Sequence, residues 1–254
     1  MKYMGSKARI AKHILPIMLE EVEKKGITTW IEPMVGGGNM IKTVPKRMKR
    51  IGYDKNVYLI EMYKYIQKYG FTYTEQISKD LYSECRNAYN TNSWHVGTQE
   101  VDASFIGWVG FMASANGRFF DGGYSGISKT KIGTERNYID ESIRGLKKEF
   151  PDLQDVEFIS EDYLNLDFEN CLIYCDPPYK GTKTYNTSKD FDHDKFFDWC
   201  REQSKHGNVV FVSEYEAPED FECVWQQEVR SSLSANGVSG GNKVSVEKLF
   251  KVSV

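Results

Sequence analysis

Residues 28–38, Thr-Thr-Trp-Ile-Glu-Pro-Met-Val-Gly-Gly-Gly, decide the fold class of this chain. Residues 28–31 have the composition of a short buried strand, and the run Gly36-Gly37-Gly38 follows it closely. Glycines let the backbone turn sharply and pass close to a ligand. We expect an α-helix to begin near Asn39, with its free N–H groups facing that ligand. A strand, a glycine loop and a helix in this order predict an α/β fold.

A second short strand is expected at residues 50–54, and it ends in Asp54, eighteen residues after Gly36. The carboxyl ends of parallel strands meet at one edge of a sheet, so this carboxylate should reach the glycine loop. The chain has neither a complete GxGxxG fingerprint nor the GK[ST] of a phosphate loop. The pattern therefore favours a nucleoside ligand without phosphates, with its ribose hydroxyls on Asp54. The glycines taken alone are more typical of a tight turn.

Predicted helices and strands alternate before residue 71 and after residue 135, on either side of a stretch that differs in composition. We predict a helix at 6–23, in which Pro16 either introduces a kink or begins a new helix, and further helices at 57–70, 138–150 and 195–205. Strands are predicted at 156–160, 171–175 and 208–212, with an antiparallel pair near 224–232 and 244–252. Residues 71–135 are rich in Tyr, Asn, Ser and Gly and form no third strand-helix repeat. We interpret them as an insert whose own core includes Trp108, Phe111, Phe119 and Phe120.

Composition limits the class of protein. The 254 residues are 40% apolar and 27% charged, which is enough to bury a substantial core. No stretch approaches the roughly 18 apolar residues of a membrane span, and Lys7, Arg9 and Lys12 interrupt any signal-peptide pattern. Five cysteines without framework spacing fit a reducing compartment. We therefore expect a cytoplasmic protein without disulfides.

Charge is distributed unevenly along the chain. The formal net charge is −3, but residues 1–50 hold eight Lys and three Arg against four Glu, a balance of +7. A basic face on an otherwise acidic molecule would orient a nucleic acid. The alternative is that these charges simply cover solvated helix faces.

The tetrapeptide Asp176-Pro177-Pro178-Tyr179 directly follows the predicted strand 171–175. Two prolines remove two backbone donors and fix φ twice, which leaves Asp176 and the Pro177 carbonyl as rigid acceptors beside an aromatic ring. Two acceptors and a ring fit the exocyclic amino group of a nucleobase, with Tyr179 stacked on the base. The alternative is a Pro-Pro turn that happens to follow a strand.

Together these motifs resemble the S-adenosylmethionine-dependent DNA adenine-N6 methyltransferases, in the motif order that places a recognition insert before DPPY. The likeness spans five segments: 3–7 (YMGSK), 32–38 (EPMVGGG), Asp54, 161–163 (EDY) and 229–237 (VRSSLSANG). It implies an α/β fold, a Rossmann-like methyltransferase sheet with a small, mainly helical recognition insert that contains a hairpin. It also implies a catalytic domain of residues 1–70 and 136–254 and a DNA target-recognition insert of residues 71–135.

The resemblance implies specific roles for individual residues. The catalytic residues would be Asp176, Pro177, Pro178 and Tyr179, and S-adenosylmethionine would contact Tyr3, Lys7, Glu32, Pro33, Gly36, Gly38, Asp54, Asp162, Tyr163 and Asp176. The DNA-binding candidates are Lys7, Asn116, Arg118, Lys129, Tyr185, Arg230 and Asn236. The partner would be double-stranded DNA, from which the target adenine must be flipped out because its amino group is paired inside the duplex. A restriction-modification role in a bacterial cell or phage-infected host would be typical.

Within the insert, Asn116, Arg118 and the loop 121–131 have the side chains of a hairpin that enters the major groove. Arg118 is the candidate for a guanine contact, and Lys7 and Lys129 are candidates for phosphate contacts. Alternatively, Arg118 only pairs with Asp121 to close the turn.

We expect no metal site. Cys171 and Cys175 lie roughly 13 Å apart on a strand, too far to share an ion. Asp192-His193-Asp194 has the pattern of a helix N-cap rather than of a ligand cluster.

Other functions remain open at this stage. The same scaffold could methylate cytosine N4, adenine in RNA or a protein amide, or the chain could be a non-catalytic DNA-binding relative. Asp before Pro-Pro-Tyr, with the insert placed before it, favours adenine in DNA.

Overall fold

Helices and strands alternate through the residues that the computed structural model describes, which are 1, 3, 5–129, 133–180, 191–230 and 244–253. The α-helices are α1 (Ala11–Lys25), α2 (Val57–Tyr69), α3 (Lys79–Thr91), α4 (Ala103–Ala113), α5 (Tyr138–Glu149) and α6 (His193–Lys205). The strands are β1 (Thr29–Glu32), β2 (Lys49–Asp54), β3 (His95–Val96), β4 (Gln99–Glu100), β5 (Ile127–Lys129), β6 (Glu135–Asn137), β7 (Glu157–Ser160), β8 (Cys171–Cys175), β9 (Val209–Glu214), β10 (Phe221–Arg230) and β11 (Val244–Val252).

Seven of these strands form one sheet in the order β10-β11-β9-β8-β1-β2-β7. The five strands from β9 to β7 are parallel, and β11 pairs antiparallel with both β9 and β10. The predicted Rossmann-like α/β sheet is therefore confirmed, as is the antiparallel pair near the end of the chain. Chain connections leave β1 and β8 in opposite directions, so these two neighbouring strands flank a topological switch point.

The two faces of the sheet bury alternate residues of each strand. Trp30 and Tyr174 belong to one hydrophobic cluster, which also takes in α1, α2, α4 and α5. Ile31 and Ile173 belong to a second cluster on the opposite face, under α6. This alternation follows from the two-residue period of a strand, and it produces three layers with helices on both sides.

The segment after the glycine loop differs from the prediction. A 3₁₀ helix of three residues, Ile41–Thr43, stands where an α-helix was expected to begin near Asn39. Val44 has extended geometry (φ −67°, ψ 135°) because the following Pro45 disfavours the helical conformation in the residue before it. The prediction that free N–H groups of an α-helix face the ligand here is therefore wrong.

The first helical segment is also divided. Ser6 caps a 3₁₀ turn at Lys7–Arg9, and α1 begins only at Ala11 and continues through Pro16. Gly26 ends α1 in the left-handed conformation, with φ 65°. The division leaves residues 6–9 outside α1, and Lys7 lies at the carboxyl edge of the sheet, 2.9 Å from Asp176 Oδ1.

The insert is mainly helical and contains short hairpins, as predicted. Helix α4 packs on α2 so closely that a Cβ on Gly107 would lie 2.1 Å from the Tyr58 carbonyl oxygen. The four predicted aromatic core residues are all buried. Their cluster is continuous with buried residues of α1, α2 and α5, so the core is shared rather than the insert's own. The predicted boundary after residue 135 falls inside β6.

Helix α4 is strongly apolar but spans only Ala103–Ala113. Among the residues described, no helix combines the length and the apolar composition needed to cross a membrane.

Candidate active site

Four parallel strands present a carboxylate at the same edge of the sheet. Glu32, Asp54 and Glu214 are the last residues of β1, β2 and β9, and Asp176 directly follows β8. Glu32 and Asp176 thus flank the switch point between β1 and β8, where open α/β sheets bind their ligands. The candidate site is built on this edge.

The glycine loop is tied to the end of β2. Asp54 accepts hydrogen bonds from Gly36 N through Oδ2 (3.0 Å) and from Asn56 N through Oδ1 (2.9 Å). The Tyr63 hydroxyl donates to the Gly36 carbonyl at 3.1 Å. Gly36 and Gly38 have φ values of 47° and 64°, a conformation that favours glycine. The structure therefore brings together the glycine and the carboxylate that the sequence singled out.

Tyr3 lies directly against this loop. A Cβ on Gly36 would come within 2.8 Å of Tyr3 Cε1, and one on Gly37 within 2.5 Å of Tyr3 Cβ. The other side of Tyr3 faces α4, with its ring stacked on Phe111 at 6.1 Å between centroids. Burial raises the pKa of Tyr3, and the charges of Asp54 and Asp176 raise it further. This residue links the glycine loop to the insert.

Lys7 joins the N-terminal segment to the Asp-Pro-Pro-Tyr segment. Its Nζ is 2.9 Å from Asp176 Oδ1 and donates to the Gly5 carbonyl at 3.1 Å. The same Nζ lies 4.4 Å from the centroid of the Tyr179 ring. Lys7 is only 8% exposed, so in this position it does not lie on an open phosphate-binding surface.

The Tyr179 side chain is held at its edge and at its tip. Its hydroxyl donates to Glu247 Oε2 on β11 at 2.8 Å. Its ring meets Tyr215 edge-on, with 4.6 Å between centroids and an interplanar angle of 80°. These contacts fix the plane of the ring beside Asp176.

Burial dominates the electrostatics of the edge. It raises the pKa of Glu32, Asp54 and Asp176, and it raises the pKa of Glu214 to about 7. The charge of Asp176 adds to the rise at Glu32 and Glu214, whereas Lys7 lowers the pKa of Asp176. Low dielectric makes each carboxylate costly to ionise without a cation nearby, so the edge favours a positively charged ligand.

Asp162 and Tyr163 follow β7 and have local roles. Asp162 Oδ1 accepts from Leu164 N at 3.1 Å and caps a short 3₁₀ turn. The Tyr163 ring packs into the core, edge-on to Trp199 at 5.5 Å between centroids. Pro33 is buried directly after Glu32. The cofactor roles of these three residues stay predictions.

The DNA-binding candidates separate into different elements. Asn116 is exposed in the left-handed conformation (φ 58°) on the turn after α4, and Lys129 is exposed on β5. Asn116 and Arg118 therefore do not lie on the hairpin formed by β5 and β6, contrary to the prediction of one common hairpin. The remaining candidates lie outside the described residues: Lys131, Tyr185, Asn236 and the side chain of Arg230.

Arg118 is half-buried, whereas Asn116 two residues before it is exposed. Backbone N–H groups of Asp121 and Gly122 donate to its carbonyl at 2.9 and 3.0 Å, so the backbone itself closes the turn. The Arg118 Nε is buried and finds no hydrogen-bond acceptor among the described residues.

Sequence reasoning missed three residues at this edge: Glu214, Glu247 and His193. Glu214 is the last residue of β9. The sequence offered a signal for it, because this carboxylate closely follows the apolar run of residues 209–212. His193 was interpreted only as part of a helix cap, a role that Asp192 does perform. Glu247 lies on β11 and carried no local signal. Within the described ranges, no group of three or more His, Cys, Asp or Glu side chains could hold a metal ion.

Comparison with protein families adds to this geometry. The sequence model of the D12 class N6 adenine-specific DNA methyltransferases matches residues 3–101 and 110–233. A search of curated proteins found no match. The matched ranges include Lys7, the glycine loop, Asp54 and the Asp-Pro-Pro-Tyr segment, which the structure assembles at one sheet edge. Because the match covers nearly the whole chain, the protein belongs to the D12 class N6 adenine-specific DNA methyltransferase family.

Proposed function

We propose that this protein transfers a methyl group from S-adenosylmethionine to N6 of a flipped-out adenine at a specific site in duplex DNA, using the carboxyl edge of its sheet. Membership of the family gives the reaction, adenine N6 methylation of DNA. The observation that carries the assignment of the site is the position of Asp176 at the switch point, 2.9 Å from the Lys7 ammonium and beside the Tyr179 ring.

The residues present suit S-adenosylmethionine, which would supply an electrophilic methyl group on a positively charged sulfonium. The buried carboxylates of Glu32, Asp54 and Asp176 favour a cation over a phosphate-bearing cofactor. Asp54 uses one lone pair on each oxygen for backbone N–H groups, and a carboxylate has about four acceptor positions. It therefore keeps capacity for ribose hydroxyls while it holds the glycine loop.

The contacts of Lys7 support the assignment of the target-base position. Its Nζ is an N–H donor that binds the Asp176 carboxylate over the face of the Tyr179 ring. An adenine amino group would make the same two kinds of contact, a donated hydrogen bond and a stacked ring. Lys7 must share the carboxylate or move aside when the base enters. We therefore assign Lys7 to the reaction site rather than to a phosphate contact.

Asp176 and the Pro177 carbonyl would then act on the nitrogen itself. Hydrogen bonds to these acceptors favour a tetrahedral N6 with its lone pair directed at the methyl carbon. Bound S-adenosylmethionine would supply the methyl carbon for the new C–N bond and keep the electron pair of the broken C–S bond, and N6 would release one proton to solvent. Because Asp176 is held by Lys7 and Tyr179 by Glu247, these residues contribute mainly positioning and electrostatics.

The insert, residues 71–135, would read the DNA sequence. Asn116 and Arg118 on the turn after α4 are the candidates for base contacts, and Lys129 on β5 is a candidate for a phosphate contact. Tyr185, Arg230 and Asn236 stay predictions for the DNA surface, as do the cytoplasmic location and the restriction-modification role.

Digestion of the methylated DNA to nucleosides, followed by mass measurement, tests the proposal. We expect N6-methyladenine from duplex DNA with the wild-type protein, and its rate of formation should fall on the order of 10³-fold with Asp176→Ala. Methylcytosine, or product only from RNA, would contradict the substrate assignment. No product from the folded wild-type protein would favour a non-catalytic DNA-binding relative.

A further inference from the structure

Residues 176–179, which we call the catalytic turn, lie beyond the backbone hydrogen bonds of the sheet. Ladder pairing between β8 and β9 ends at Cys175 and Val212, one residue before Asp176. Beyond that point Pro177 and Pro178 have no N–H groups to donate. The orientation of Asp176 and Tyr179 must therefore depend on groups outside the ladder.

Two side chains that the reaction does not otherwise use bind the backbone just after the prolines. His193 Nε2, at the first residue of α6, is 2.9 Å from the Pro178 carbonyl oxygen. Because a carbonyl only accepts, Nε2 must carry the proton in this contact. Glu214 Oε2, at the last residue of β9, accepts from Lys180 N at 3.1 Å.

Glu214 is also fixed from its own side. Its Oε1 accepts from Tyr215 N at 2.7 Å, and its Oε2 lies 4.0 Å from His193 Nε2. The carboxylate side chain is 1% exposed, whereas His193 is 20% exposed. Burying a carboxylate costs free energy unless its hydrogen bonds compensate, so a group that merely filled space here would be apolar.

We propose that Glu214 and His193 are positioning residues for methyl transfer, which bind the Lys180 N–H and the Pro178 carbonyl and thereby orient Asp176 and the Tyr179 ring. This inference rests on the proposed function and names residues that the family match does not assign. The two side chains belong to different elements that both follow the catalytic turn in the sequence, His193 to α6 and Glu214 to β9. They act on its backbone and do not touch the reacting atoms.

The test measures single-turnover methylation at saturating S-adenosylmethionine and DNA, with matched variants at both positions. Glu214→Ala removes both acceptors, whereas Glu214→Gln keeps one. His193→Phe keeps a ring against Phe191 but loses the donor, whereas His193→Gln keeps a donor. We expect Glu214→Ala and His193→Phe to lower the saturated rate on the order of ten- to hundredfold, since small misplacements cost that much. The Gln variants should recover part of the rate.

Three further measurements separate positioning from stability. The dissociation constant of S-adenosylmethionine should change less than about threefold, because neither side chain is among the proposed cofactor contacts. With 2-aminopurine at the target position, fluorescence should show a base that leaves the duplex but is less restrained. Melting temperatures identify any variant that fails to fold, and the Gln pair then carries the test. Glu202→Gln, at an exposed position of α6, is the control.

The possible outcomes are distinct. Near-wild-type methylation rates in folded Glu214→Ala and His193→Phe would overturn the inference. So would rate losses that are the same in the Gln variants and that follow the decrease in melting temperature. In both cases wild-type methylation of adenine would leave the proposed function intact. Failure of the wild-type protein to methylate adenine would instead remove the proposed function, and the positioning role with it.

Discussion

The carboxyl edge of the sheet and the turn after α4 in the insert hold their polar groups in opposite ways. At the edge, Lys7 and Glu32 are 8% and 3% exposed and each has a hydrogen-bond or charged partner. In the insert, Asn116 is exposed on a backbone fixed by buried aromatic rings. Polar contacts that converge on a buried point suit chemistry, whereas polar groups displayed on an apolar scaffold suit recognition of a partner.

The scaffold of the insert is strained where it displays these groups. Phe120 has φ 54°, which is unusual for a bulky residue, and its N–H donates to the buried Ser114 Oγ at 3.0 Å. A Cβ on Gly122 would lie 2.4 Å from the Ala115 carbonyl oxygen. Strand ends thus place the proposed catalytic groups, whereas dense packing places the proposed DNA-reading groups. Four predictions test this difference.

Asp176→Ala should have the largest effect. Loss of the acceptor for the amino group should lower saturated turnover on the order of 10³-fold, about 4 kcal/mol of transition-state stabilisation. Cofactor affinity should stay within about tenfold, as calorimetry with S-adenosylmethionine can measure. Asp198→Ala, at a 75% exposed position of α6, is the matched control. Near-wild-type turnover of Asp176→Ala would remove the catalytic role of this edge.

Gly107→Ala tests the scaffold of the insert. The new Cβ would meet the Tyr58 backbone, which cannot rotate away, so α4 and α2 must separate. We expect a loss of about 3 kcal/mol in the free energy of unfolding, measured in urea. Gly145→Ala on α5 meets nothing within 4 Å and should be neutral or slightly stabilising. Equal stability of the two variants would show that dense packing does not fix the insert.

Asp54→Ala tests the cofactor side of the edge. It should weaken S-adenosylmethionine binding by about 1.5–3 kcal/mol, the range for hydrogen bonds to a charged group, with little change in saturated turnover. Burial raises the pKa of Asp54, so wild-type affinity should fall as the pH is lowered through that raised pKa. Asp54→Asn should flatten this dependence in calorimetry. An unchanged dissociation constant would place the ribose elsewhere.

Arg118→Ala should have the smallest and most selective effect. If Arg118 reads guanine, the loss should be about 1–3 kcal/mol on the cognate site, with relaxed specificity at one base pair in a DNA competition assay. Lys129→Ala should instead weaken all sites alike and reduce the salt dependence of binding. Uniform weakening by Arg118→Ala, together with a lower melting temperature, would assign this residue to the scaffold.

The strands of the sheet and most of the candidate site at its carboxyl edge could be predicted from local sequence patterns. Strand 171–175 and the tetrapeptide after it are local patterns, and so are Asp54 and the glycines. Their meaning follows from rules that hold for any parallel sheet, since strand ends converge on one edge. The burial of the aromatic residues in the insert was also predictable, because large aromatic side chains favour the core.

Contacts between side chains that are far apart in the sequence could be identified only from the tertiary structure. Lys7 reaches Asp176, and Glu247 reaches Tyr179, through the order of the strands and not through any sequence spacing. The α-helix expected near Asn39 is missing because Pro45 and its neighbour determine the local backbone. Asn116 and Lys129 separate because α4 and the β5–β6 hairpin are different elements. Local propensity specifies where strands end, whereas the partner of a side chain depends on long-range packing that no short segment contains.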